Sequence, residues 1–91
     1  MTASPEAPSL IEYPCDFPIK VMGRKDSAVT RIARAIVERH TGPLKDEQVR
    51  ERPSTAGNFL SVTFDIQAQS REQLDNIYRE LTASDAVLMA L

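Results

Sequence analysis

Cys15 and His40 are the chain's one thiol and one imidazole, so any nucleophile-and-base chemistry of the cysteine–histidine type must come from them. A working pair needs hydrogen-bond reach and a third group to orient the histidine. Cys15 precedes the first apolar run and His40 closes a helical stripe, so packing accounts for both, and no catalytic residue is assigned. Paired carboxylates for acid–base work would have to share one cleft. Asp46, Glu47 and Glu51 lie instead on a charged edge, and Glu72 and Asp75 on the solvent side of a helix. Without a His/Cys/Asp cluster there is no metal site, and no cofactor motif is present. The remaining candidate is the loop Gly23, Arg24, Lys25, Asp26 and Ser27, where free amides at a helix start and two cations suit a small anion. The competing reading is a tight turn at Gly23 with solvated charges.

These groups must be carried by elements the pattern defines. From Asp16, the residues Phe17, Ile19 and Val21 alternate with Pro18, Lys20 and Met22, the period of a half-buried strand that Gly23 ends. Asp26 or Ser27 is the expected N-cap of a helix whose stripe is Val29, Ile32, Ala33, Ile36, Val37 and His40, terminated by Gly42 and Pro43. Residues 44–53 suit a charged edge strand. After a turn over 54–58, Leu60, Val62, Phe64, Ile66 and Ala68 mark a long central strand. Ser70 and Gln73 have capping-box spacing ahead of a second helix with Leu74, Ile77, Tyr78 and Leu81. Val87, Met89 and Leu91 are expected to point inward from a last short strand.

The order βαββαβ predicts an α+β, ferredoxin-like sandwich: a four-stranded antiparallel sheet with two helices on one face. The other face then carries Lys20, Met22, Phe59, Ser61, Thr63, Asp65, Ala86, Leu88 and Ala90. It is too mixed for a second core and too apolar at Met22, Phe59 and Leu88 to be plainly solvated, which marks it as a surface for a protein partner or a homodimer.

Length and composition agree. The chain has 91 residues, a net charge of -2 and 42% hydrophobic residues, which fits one small domain over residues 10–91 behind a proline-containing tail at 1–9, expected to be disordered. No run approaches the ~20 apolar residues of a membrane span, and the N-terminus lacks the basic-then-apolar order of a secretory signal. A cytoplasmic protein is expected. The charge is unevenly spread: residues 20–40 are basic through Lys20, Arg24, Lys25, Arg31, Arg34 and Arg39, whereas 65–85 are acidic through Asp65, Glu72, Asp75, Glu80 and Asp85. Neighbouring helices that neutralise each other explain this most simply. Nucleic-acid modules of this topology stack bases on sheet aromatics. With Phe59 the one aromatic expected on the open face and pI ≈ 5.3, nucleic acid is not an expected partner.

The run from Leu10 through Tyr13, Pro14, Cys15, Asp16, Phe17 and Pro18 to Gly23 resembles the opening of the YbeD-like family of small bacterial proteins of unknown function. The resemblance continues at Arg52, Pro53, Ser54, Gly57, Ser61, Val62, Thr63, Gln73, Leu74, Ile77, Tyr78, Leu81, Val87, Met89 and Leu91. Spacing is kept except over 41–51, and Phe59 stands where the family leads one to expect tyrosine. The resemblance implies an ACT-like form of the ferredoxin-like fold, similar to regulatory domains that pair with partners or bind small ligands, and it implies no reaction. In ACT-like domains the loop matching Gly23–Ser27 commonly lines the ligand site. Two expectations follow: a regulatory or adaptor domain that associates with a protein or with itself, and alternatively a sensor of an amino acid or anionic metabolite at that loop.

Overall fold

Alternation builds the two long strands. In a computed structural model, which describes residues 12–91, β1 (Cys15–Arg24) buries Ile19, Val21 and Gly23, and β3 (Phe59–Ala68) buries Val62, Phe64, Ile66 and Ala68. They pair antiparallel along their whole length, from Cys15 with Ala68 to Arg24 with Phe59. β2 (Val49–Pro53), the charged edge, pairs with β3, and β4 (Met89–Ala90) pairs with β1, giving the sheet order β2-β3-β1-β4. A short 3-10 turn over Asp46–Gln48 leads into β2. The expected tail at 1–9, and Leu10 and Ile11 after it, lie outside the described residues.

Both helices lie against one face of this sheet. α1 (Val29–Thr41) buries Val29, Ala33, Ile36 and Val37, and α2 (Arg71–Thr82) buries Leu74, Ile77 and Leu81. With the inward residues of the strands, Leu44 and Val87 they form one apolar cluster. Phe64 and Ile77 are fully enclosed in it. Side chains of this kind contribute about 1.5–3 kcal/mol each on leaving water.

The helix ends show which local signals operate. Gly42 takes φ 84 and its N–H bonds the Glu38 carbonyl, ending α1 as expected. Ser70 Oγ accepts from the Gln73 amide at 3.0 Å. Gln73 reaches back one residue further than a standard capping box: its Oε1 accepts from the Gln69 amide, while its Nε2 donates to the His40 carbonyl and ties the two helices together. The start of α1 differs from expectation. Its N-cap is Ala28 at φ 58, not Asp26 or Ser27, because the Ser27 hydroxyl and amide both bond the Arg24 carbonyl in a turn that precedes the helix.

The last strand also differs. Val87 is buried as expected, but its amide bonds the Ser84 carbonyl, so it belongs to a turn. Leu88 then donates to the Met22 carbonyl, although the register pairs Met22 with Met89. Two residues thus address one, in the manner of a bulge, and the side-chain phase reverses. Met89 and Leu91, expected inward, emerge on the open face. Ala90, expected outward, packs against the core.

Candidate functional site

The register lays the open face out in rows. One row runs from Leu91, just past β4, through Lys20, Thr63 and Arg50 on β1, β3 and β2, with Leu91 and Lys20 exchanging backbone hydrogen bonds of 2.7 and 3.0 Å. The next runs Met89, Met22, Ser61, Arg52. Arg24 faces Phe59 in a third, and Pro18 faces Asp65 at the other end. The face is therefore aliphatic toward β4, cationic toward β2 and hydroxyl-bearing between.

Two shallow depressions follow that division. Met22, Met89 and Leu91 line an apolar one with Lys20 and Ser61. Arg50, Glu51, Arg52, Thr63 and Pro18 line a polar one that shares Lys20 and Ser61 with the first, and the Glu51 carboxylate accepts from the Thr30 hydroxyl of α1. Among the described residues the large hydrophobics left exposed are Leu88 at 53%, Met89 at 49% and Leu91 at 68%, all at this edge.

The charges are unequally committed. Arg50 grips Asp65 with two hydrogen bonds of 2.9 Å, which neutralises that carboxylate and raises the pKa of the guanidinium. Among the described residues, Lys20, Arg24, Lys25 and Arg52 form no ion pair. Among the described residues the sheet thus presents Lys20, Arg24 and Arg52 without an ion-pair partner beside an aliphatic patch.

The loop of Gly23–Ser27 meets the corner of this face. Gly23 lies within β1, where a Cβ would overlap the Ala86 carbonyl and come within 2.7 Å of Val29 Cγ2. Its lack of a side chain thus serves close packing. The Lys25 amide is spent on the Asn58 carbonyl and the Ser27 amide on Arg24. Arg24, Lys25 and Asp26 are exposed and border a depression completed by Gly57, Asn58 and Phe59. Arg24 and Phe59 belong to both this loop region and the open face.

The residues weighed for catalysis are engaged otherwise. Cys15 sits at the start of β1 opposite Ala68 and against the core. His40 Nε2 is 2.9 Å from Glu80 Oε2, and Arg39 binds the other oxygen at 2.6 Å. Arg39 first and His40 second hold the Glu80 carboxyl below the usual range. The basic and acidic helices meet at this point. Arg34 turns instead to Asp46 and Glu38. Among the described residues no group of three or more His, Cys, Asp or Glu could hold a metal ion, and no helix is long and apolar enough to cross a membrane.

Arg50, Arg52, Met89 and Leu91 were missed from the open face by sequence reasoning. The arginines carried a signal: Val49 is the apolar residue of β2, and alternation from it puts Arg50 and Arg52 on the opposite side. The β4 residues carried none, because the phase reversal comes from a backbone bulge.

Fold and face together define a ferredoxin-like α+β domain with one sheet face roofed by helices and the other, among the described residues, uncovered. The family described as "Protein of unknown function (DUF493)" matches residues 8–91, and the chain belongs to that family. It is 49% identical over 84 residues to a UPF0250 protein of Janthinobacterium sp. (strain Marseille), covering 91% of each chain. It is 43% identical over 89 residues to the UPF0250 protein RSc0326 of Ralstonia nicotianae, covering 98% of this chain and 92% of that one. The family resemblance read from the residues therefore holds. Among solved structures, protein HP0495 from H. pylori superposes with a TM-score of 0.72 at 19% identity, covering 100% of this chain and 98% of that one. The C-terminal domain of the MgtC protein from Mycobacterium tuberculosis does so with a TM-score of 0.58 at 15% identity, covering 90% and 89%. Both likenesses concern the fold.

Proposed function

We propose that this domain is a non-catalytic regulatory or adaptor module that works by docking a protein, either a partner or a second copy, on the open face of its sheet. The observation that carries this is the exposed Met89 and Leu91 beside Met22 on a face that neither α1 nor α2 covers. Aliphatic groups clustered on a surface gain most by leaving water together. The commitment of His40 to Glu80 and the placement of Cys15 at the core supply no nucleophile-and-base pair, in keeping with a binding role. Native mass spectrometry of gently purified protein, with light scattering on the same sample, tests the reading. A dimer or a defined heteromeric complex is expected, and a strictly monomeric, partner-free protein overturns it.

A second reading rests on the depression bordered by Arg24, Lys25, Asp26, Gly57, Asn58 and Phe59. Two cations beside an aromatic edge suit an amino acid or an anionic metabolite. A thermal-shift panel of such ligands would raise the unfolding temperature, since a ligand that binds only the folded form stabilises it. The absence of any shift at millimolar concentrations excludes this alternative. Gly23 substitutions are unsuitable for that test, because they disturb packing directly.

A further inference from the structure

We infer that the open face is built for an acidic segment of a partner protein, one that alternates carboxylates with aliphatic side chains. The inference rests on the proposed docking role of this face and narrows it to one occupant. Lys20 and Ser61 line both depressions, so a chain crossing the sheet passes from the aliphatic patch of Met22, Met89 and Leu91 directly onto Lys20 and Arg52. Arg24 extends the cationic side at the next row. Asp65 is already satisfied by Arg50, so it does not cancel the charge of its neighbours.

Charge also argues against a second copy. Two faces laid together would bring two sets of Lys20, Arg24 and Arg52, which form no ion pair among the described residues, into one interface. Antiparallel pairing along β2 centred on Glu51 would oppose Arg50 to Arg52 and Glu51 to itself, and like charges directly opposite are unfavourable. β4, with two residues, offers too short a ladder. A nucleic acid fits less well, because the face offers aliphatic groups and one aromatic, Phe59, at its end, where base stacking needs a platform of several rings.

The test is a titration of isotope-labelled full-length protein with a synthetic peptide alternating glutamate and leucine, followed by amide and methyl NMR shifts. A lysine–leucine peptide and oligothymidylate serve as comparisons. Shifts should concentrate at Lys20, Met22, Arg52, Ser61 and Met89 with the glutamate peptide, and affinity should fall as salt is raised. Lys20→Glu with Arg52→Glu, both at exposed positions, should weaken binding about tenfold or more while leaving the melting temperature close to wild type. No shifts at millimolar peptide, shifts confined to the helices, equal response to the lysine peptide, or preference for oligothymidylate at these residues overturns the inference. Failure is separable from that of the docking role. If a native complex survives Lys20→Glu with Arg52→Glu but is lost in Met89→Glu, the face docks a partner that is not acidic. If neither variant affects the complex, the docking role falls as well.

Discussion

Gly23 has room for a hydrogen and nothing more, since the Ala86 carbonyl and the Val29 side chain occupy the space a methyl would need. Gly23→Ala must displace backbone, and overpacking of this kind costs about 1–3 kcal/mol. Urea unfolding should show that loss, and a midpoint equal to wild type would contradict the packing described. Glu38 makes a different kind of contact. It accepts from the Leu44 amide at 2.8 Å and from Arg34 at 3.1 Å, in that order of effect, and its carboxyl pKa is lowered. Glu80 is lowered as well, by Arg39 and then His40. A carboxylate whose pKa falls on folding stabilises fully above its unfolded value, about 4.3, and loses that contribution as pH drops through the folded value. The urea midpoint should therefore decline below about pH 4.3, and a double variant, Glu38→Gln with Glu80→Gln, should flatten the decline. A wild-type midpoint that holds constant through that range would contradict it. The sequence reading ended the first strand at Gly23, whereas β1 runs on to Arg24 with Gly23 on its buried side, and the reason for a glycine there was not legible because Ala86 lies far along the chain.

The two helices begin differently. α2 has a side-chain cap: Ser70 accepts from Gln73, and Ser70→Ala should cost about 1 kcal/mol. α1 begins at Ala28 with no side-chain cap, so Asp26→Ala should change stability by well under that amount. Equal losses in the two variants, measured by thermal unfolding, would contradict the assigned caps. The contrast also shows what local pattern conveys. Spacing read the Ser70 cap, the Gly42 stop and both helical stripes, since each depends on residues within one or two turns. It misplaced the α1 cap, because Asp26 and Ser27 have the right side chains but the turn at Arg24 takes up the Ser27 hydroxyl. It also reversed the phase of β4, because the Leu88–Met89 bulge is set by pairing with Met22 and not by side-chain alternation.

At the scale of the whole molecule, a single-layer sheet with both helices on one side leaves its other side uncovered among the described residues. The count and order of elements made that face legible from the sequence, and Lys20, Met22, Ser61 and Thr63 were placed on it by the alternation of β1 and β3. Its character was less legible. The aliphatic end depends on the reversed phase of β4, and the cationic end depends on how β2 registers against β3. On the proposed function this face, rather than the helical one, is where the protein acts. That placement is tested most directly by comparing native mass spectra of the wild-type complex with those of two variants. One is Met89→Glu on the sheet, and the other is Arg31→Glu on the exposed side of α1. The complex should be lost in the first and kept in the second, with both variants folded by thermal melting. Loss in Arg31→Glu with retention in Met89→Glu would place the function on the helices and overturn the proposed docking face.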